Sequence, residues 1–323
     1  MVGRDGSIDF LCWPEFDSPS VFCANADARR GGCFQIKPQL EAYREKHLYL
    51  PDTNVLITRF LSDDGIAEIS NYMVVAEDGE ACPQALVRRV KCVHGEVCFR
   101  LRFEPRFDYA RAGHQCRQES EQSLIFVPEG GAGPTLRLRA SVPLRIEGQD
   151  GAAEFTLCDD EKVTLVMEEV VPGEASPSED STYSAQSFKQ TCNFWRSWIG
   201  RCQYGGRWRE AVHRSALALK LLTSRRHGSM IAAPCFGFPN EVGGERNWDY
   251  RYTWLRDASF STYALMRLGY TEKARAFMAW LEARIESLAE GEMLQTMYRI
   301  DGRPLEGEEQ LDELEGYRGS RPV

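Results

Sequence analysis

No Cys-x-x-Cys pair occurs in the 323 residues, although the chain carries eleven cysteines. They are odd in number, scattered from Cys12 to Cys235, and stand near no histidine cluster. Neither a zinc site nor a disulfide framework has the ligand spacing it needs, so no metal is expected. Free thiols, most of them buried as small hydrophobes, fit a reducing, cytoplasmic setting. Also missing is any apolar run near the ~18 residues of a membrane span, and Met1–Gly6 lead into no secretory apolar core. Basic charge is in deficit: 39 Lys+Arg against 48 Asp+Glu leave a net charge of -9. No broad basic surface remains to neutralise phosphates, which excludes nucleic acid as an expected partner; no membrane partner is expected either.

What is present divides into two periods. Val97, Phe99, Leu101 and Phe103 alternate with Cys98, Arg100 and Arg102, and Leu136, Leu138 and Ala140 alternate with Arg137 and Arg139. That period of two predicts half-buried strands. Further strands are predicted at Val55–Leu61, Ala67–Val75, Leu86–Val93, Ser123–Val127, Glu154–Cys158 and Val163–Val171. Turn clusters such as Asp63-Asp64-Gly65 separate them, and no helical pattern intervenes. An antiparallel β-sandwich over residues 1–171 follows.

At Pro172-Gly173-Glu174-Ala175-Ser176-Pro177-Ser178 neither strand nor helix can continue, so residues 172–183 are expected to be a linker. Beyond it the period turns helical. Phe188, Cys192, Trp195 and Ile199 share one face, and Trp208, Val212, Ser215, Leu219 and Leu222 repeat the spacing. Helices are also predicted at Ala258–Leu268, closed by Gly269, and at Glu272–Ala289, the two making an αα-hairpin. Residues 184–323 form the second, helical domain.

Between these helices lies "NWDYRYTWLRDASF", Asn247 to Phe260, with two Trp, two Tyr, two Asp and two Arg in fourteen residues. Trp248, Tyr250, Tyr252 and Trp254 alternate and would share one side of an extended segment, while Asp249, Arg251 and Leu255 would point elsewhere. A pyranose offers an apolar face and a rim of hydroxyls, so a sugar site needs an aromatic platform beside charged groups. The segment supplies both. Rings can equally be core anchors at a helix start, and Asp257 can be the N-cap of Ala258–Leu268, worth ~1 kcal/mol.

Three segments carry a resemblance: "RDGSIDFLCWPEFDSPSVF" from Arg4, "GGERNWDYRYTWLRDASF" from Gly243, and "LEGYRGSRPV" from Leu314. They resemble glycoside hydrolase family 15, the glucoamylase and trehalase-like family, in its bacterial and archaeal form. That resemblance implies a β-sandwich followed by an (α/α)6 barrel, of which this chain would hold the first helices. By it, Arg256 and Asp257 bind the non-reducing terminal glucose, and Tyr250 and Trp254 are aromatic residues of that subsite and beside the scissile bond. Tyr317 and Arg318 face the leaving group. The implied substrate is an α-glucoside: a maltooligosaccharide, isomaltose or trehalose. The implied chemistry is inverting, with a carboxylic acid and a carboxylate ~6.5–9.5 Å apart, and releases β-glucose without an organic cofactor. The phosphate and magnesium dependence of the family's trehalases is neither supported nor excluded by these residues.

The family's acid and base glutamates lie beyond the "GYRGSRPV" segment, so no catalytic residue is assigned within this chain. Glu241, Glu245 and Asp249 stand near the motif, and Glu306, Glu308, Glu309, Asp312, Glu313 and Glu315 form an acidic run read as a solvated helix face. A barrel apparently truncated at Val323 is expected to leave apolar helix faces uncovered, suited to a second polypeptide that completes it. The alternative to a hydrolase is therefore a non-catalytic glucoside-binding fragment or half of a split enzyme.

Overall fold

The computed structural model describes residues 1–76, 84–244, 247–305 and 307–322. The chain forms two compact units, residues 1–14 with 19–194 and residues 15–18 with 195–323.

Antiparallel strands build the first unit. In chain order they are β1 (Ser7–Ile8), β2 (Phe10–Cys12), β3 (Ser20–Cys23), β4 (Phe34–Pro38), β5 (Arg44–Tyr49), β6 (Leu56–Leu61), β7 (Gly65–Met73), β8 (Ala85–Gly95) and β9 (Val97–Phe103). After the irregular single turn α1 (Phe107–Ala110) come β10 (His114–Ser120), β11 (Ser123–Pro128), β12 (Leu136–Ala140), β13 (Arg145–Glu147), β14 (Asp150–Leu157) and β15 (Lys162–Glu169). Among the described residues, one sheet runs β1-β4-β9-β14-β13 and a larger one β10-β11-β12-β15-β8-β7-β6-β5, with β2 and β3 a separate hairpin.

Phenylalanines fill the core. Phe34 stands opposite Phe103 in the β4–β9 register, and Phe99 opposite Phe155 in β9–β14. The ring of Phe103 meets Phe34 at 5.0 Å and, from the larger sheet, Phe126 at 4.8 Å. Offset and edge-on pairs of this kind add to the gain from burial alone. In β8 and β15 the strict alternation breaks because both faces are covered. Leu86, Val90 and Met167 join the main core, whereas Val87 and Val166 join a second cluster with Val55, Tyr72 and Cys192. Phe188 and Cys192 of helix α2 (Tyr183–Gly200) form its lid, and the Tyr72 hydroxyl, 3.0 Å from Ser187 Oγ, fixes the helix. This is why the first compact unit continues past residues 172–183 to Phe194. The Pro/Gly/Ser segment is itself held: Ser176 and Ser178 hydroxyls donate to Glu168 Oε1.

One buried guanidinium organises the amino-terminal turn. Arg88 is fully buried and donates to Asn71 Oδ1 and to the carbonyls of Phe34 and Gly6. Gly6 sits at φ +81°, and a Cβ there would meet the Ile36 carbonyl at 2.6 Å, so no other residue fits.

Strands β9 and β12 have the bounds the alternation predicts, and β6, β7, β8, β11, β14 and β15 fall at the other predicted positions. The sequence analysis did not indicate β1 to β5, β10 or β13. Of these, β5, β10 and β13 are edge strands, β5 being exposed on both sides, and β1 to β3 are four residues or fewer, but β4 is an interior strand whose Phe34, Ile36 and Pro38 alternate into the core.

The second unit holds the end of α2, then α3 (Arg209–Leu221), β16 (Thr253–Trp254), α4 (Leu255–Arg267), α5 (Thr271–Glu286) and β17 (Met297–Tyr298). Helix α5 ends three residues before the predicted Ala289. Gly269, at φ +98°, makes the tight turn between α4 and α5, and the next residue, Tyr270, stacks on Trp198 at 4.1 Å. No described helix is long and apolar enough to cross a membrane. Beyond Glu306, which lies outside the described residues, the acidic run is exposed coil and not a helix face, with Leu311 and Leu314 buried between its charges.

One acid-sensitive brace links three strands of the larger sheet. Both Glu119 oxygens accept from Arg137, at 2.8 and 2.9 Å, and Ser123 Oγ donates at 2.7 Å. The Arg137 hydrogen bonds hold the Glu119 carboxyl down from 4.5 to about 2. A folded-state value below the unfolded one contributes stability that is complete above 4.5 and lost as pH falls towards 2. Glu119→Gln is expected to lower Tm at pH 6, and the gap to the native chain is expected to close across that acid window. A gap that does not change with pH would show that the carboxylate charge contributes nothing.

Candidate functional site

The Asn247–Phe260 segment is clamped along its backbone before any side chain acts. Ala233 N donates to Tyr250 O at 2.8 Å and Ala232 N to Tyr252 O at 3.1 Å. On its next stretch, Thr253 pairs with Tyr298 and Trp254 with Met297 as β16–β17. Leu255 N then donates to Thr296 O at 3.1 Å, which satisfies one of the amide groups a helix leaves unpaired at its start. Helix α4 therefore begins at Leu255 with Trp254 at the N-cap position and no side-chain cap. Asp257 is in the first turn and not at the N-cap, contrary to the capping role its sequence position suggests.

Tyr250 and Trp254 are brought together. Their rings stack at 5.3 Å with planes 18° apart, and Trp248 leans on Trp254 at 6.1 Å. The indole of Trp254 donates to the backbone carbonyl of Asp249 at 3.2 Å. Arg256 and Asp257 follow directly, their side chains 71% and 34% exposed and 3.5 Å apart. The guanidinium is thus open to solvent and the carboxylate half-buried, two and three residues after Trp254 in the chain.

Tyr317 and Arg318 sit elsewhere in the second unit. Tyr317 packs edge-on against Phe238 at 5.1 Å, and the Arg318 guanidinium lies over the Tyr317 ring at 5.4 Å. Arg318 has φ +52°, an uncommon conformation for a residue with a side chain. Their segment is tied to the start of the motif, since Asn247 Nδ2 donates to Arg321 O at 2.5 Å and Gly243 N to Ser320 Oγ at 2.9 Å. Among the described residues, neither touches the Tyr250–Trp254 stack.

Arg251 is the residue whose position the sequence did not foretell. It is buried with 2% of its side chain exposed, Nε donates to both Asp249 carboxylate oxygens at 3.0 Å, and its plane covers the Phe236 ring at 4.9 Å. Nη1 donates to Ser18 O at 2.9 Å. A second acidic contact joins the same short segment, where Asp17 lies 3.3 Å from Arg299 Nε and accepts from Ile300 N at 3.3 Å. The one available signal was an arginine alternating with rings, which spacing alone cannot tell from an exposed one. Glu245 lies outside the described residues, Glu241 is exposed, and Asp249 is held by Arg251. Among the described residues, no three or more His, Cys, Asp or Glu are grouped to hold a metal ion.

Two family descriptions cover almost the whole of this sequence: trehalase-like, N-terminal, over residues 1–195, and glycosyl hydrolases family 15 over residues 206–323. The first description matches more than half of the chain, which therefore belongs to the trehalase-like, N-terminal family, while residues 206–323 are similar to glycosyl hydrolases family 15. It is 31% identical to a trehalase of Thermoplasma acidophilum and 31% identical to one of Mycobacterium tuberculosis, in each case over 100% of this chain. Those matches cover 54% and 50% of the two relatives, so the chain spans about half their length. Its fold is similar to that of a bacterial glucoamylase crystallised with acarbose, at a TM-score of 0.66 and 12% identity, over 93% of this chain and 50% of the other.

Because Asp257 does not cap α4 and, among the described residues, its ion-pair partner is the exposed Arg256, Asp257→Ala is expected to change stability by no more than about 1 kcal/mol. Thermal unfolding checks this, and a much larger loss would make Asp257 a structural residue.

Proposed function

We propose that this chain is the amino-terminal part of a glycoside hydrolase that removes terminal α-linked glucose with inversion. The observation that carries this reading is the stacked Tyr250–Trp254 pair set directly before the open Arg256 and Asp257. A glucose ring can lie against the rings while the carboxylate accepts from its hydroxyls and the guanidinium donates to it. Relatives named trehalases along the full chain favour trehalose over maltooligosaccharides or isomaltose. Residues 184–323 would supply the first helices of an (α/α)6 barrel after a sandwich of residues 1–171 and the 172–183 linker. Tyr317 and Arg318 would face the leaving group.

A second reading has its own support. Phe260, Tyr263 and Met266 on α4, and Met278 and Ile285 on α5, are exposed. A glucoside-binding half that needs a second polypeptide to complete the barrel accounts for these apolar surfaces, and for a motif that binds sugar without a carboxylate pair for acid and base.

Glucose release from trehalose, maltotriose and isomaltose by the purified 323-residue chain separates the two, with Asp257→Ala as the control. Binding of acarbose without glucose release is expected, and Asp257→Ala is expected to weaken that binding by roughly 100-fold, the scale for an unpaired polar site. Release that Asp257→Ala abolishes would place the acid and base within Met1–Val323 and overturn the second reading.

A further inference from the structure

The buried pair Asp249–Arg251 has no direct role in the reading above, and its connections run towards the rings. The carboxylate of Asp249 accepts from the Arg251 backbone N at 2.8 Å, from Nε at 3.0 Å, and from Nη2. Three side-chain bonds and one backbone bond leave the Asp249 residue little freedom to rotate. The carbonyl of this same residue receives the Trp254 indole N–H, and Tyr250 stacks on Trp254. Rotating the 249–250 peptide would take the acceptor away from the indole.

Arg251 is itself fixed from outside the motif. The Phe236 ring covers its face, and Ser18 O, with Phe16 O at 3.5 Å, accepts from Nη1. Buried arginine makes these bonds obligatory, because a charge without acceptors at 2% exposure would be very costly. The fork thus holds a segment distant in sequence, Glu15–Ser18, at one end and an aromatic acceptor at the other.

We infer that Asp249 and Arg251 are positioning residues: the buried fork between them fixes the Trp254 indole, and with it the ring face offered to the sugar. This rests on the proposed glucose site for its functional consequence, though not for its geometry. Supporting groups of this kind hold a site to the tolerance its ligand needs, and a displacement of about 1 Å can cost up to 100-fold.

The test uses the full 323-residue chain labelled with nitrogen-15, whose seven tryptophans give seven indole signals. Loss of a signal in Trp254→Phe assigns the one of interest. Asp249→Asn is expected to move the Trp254 indole signal while the other indole signals of the fold stay in place, and to weaken acarbose binding by about tenfold or more. Arg251→Lys, which keeps the charge but loses the fork, is expected to do the same and serves if Asp249→Asn does not fold. Asp312→Asn, removing an exposed pair with Arg321, is the control and is expected to move neither. An unmoved Trp254 signal in a folded variant would overturn the positioning role. A native chain that binds no acarbose would instead count against the proposed glucose site, while the indole signal would still decide the role of the fork.

Discussion

A guanidinium with 2% of its side chain exposed needs acceptors on every side, and the placement of Arg251 shows how much structure that demand organises. Asp249 must be two residues back with its carboxylate turned inward. Phe236 must cover the plane, and the backbone at Phe16 and Ser18 must present carbonyls. Segments from three parts of the sequence thereby converge on one charge. The backbone pairing of Tyr250 and Tyr252 with Ala232 and Ala233, and of β16 with β17, keeps the intervening rings in a fixed alternation. Arg88 does similar work in the first unit by joining Gly6, Phe34 and Asn71. Both arginines draw on the same property, a planar set of donors able to bind several carbonyls at once.

Sheet and helix place opposite demands on sequence in this chain. Where one face is buried, as in β9 and β12, alternation is strict and the strand can be read directly. In β8 and β15 the second face is buried under α2, and apolar residues fill successive positions such as Leu86 and Val87. At the edges the reverse holds, and β5 carries Arg, Glu, Lys and His with no core face to declare. Strand legibility here measures how many faces are covered. Most missed elements have no covered face or too short a span for a period to show, whereas β4 buries Phe34, Ile36 and Pro38 and its five-residue alternation was missed.

Within the site, the sequence made the composition legible and left the geometry hidden. Rings at alternating positions suggested a shared face, yet only Tyr250 and Trp254 stack, while Arg251 between them turns into the interior. Alternation places both classes correctly on opposite sides of an extended segment, but it does not tell which side is solvent. The helix start was misplaced for a related reason. Asp257 has the chemistry of an N-cap, but the carbonyl of Thr296, next to β17, supplies the acceptor for Leu255 N, so α4 begins three residues earlier and no side-chain cap is required. That shift leaves the Asp257 carboxylate free of a backbone duty.

The same bookkeeping of carboxylates bears on what the chain can do. Acid and base catalysis of glycoside transfer needs two carboxyl groups in contrasting environments, one of them available to give a proton. Asp249 is bound by the Arg251 guanidinium through both oxygens, which occupies its lone pairs. Asp257 is half-buried beside the exposed Arg256, with oxygens able to accept from hydroxyl donors. The two carboxylates of the motif therefore divide into one tied up by Arg251 and one left accessible, the one assigned to the sugar in the proposed function. This division fits the binding role proposed for the Asn247–Phe260 segment.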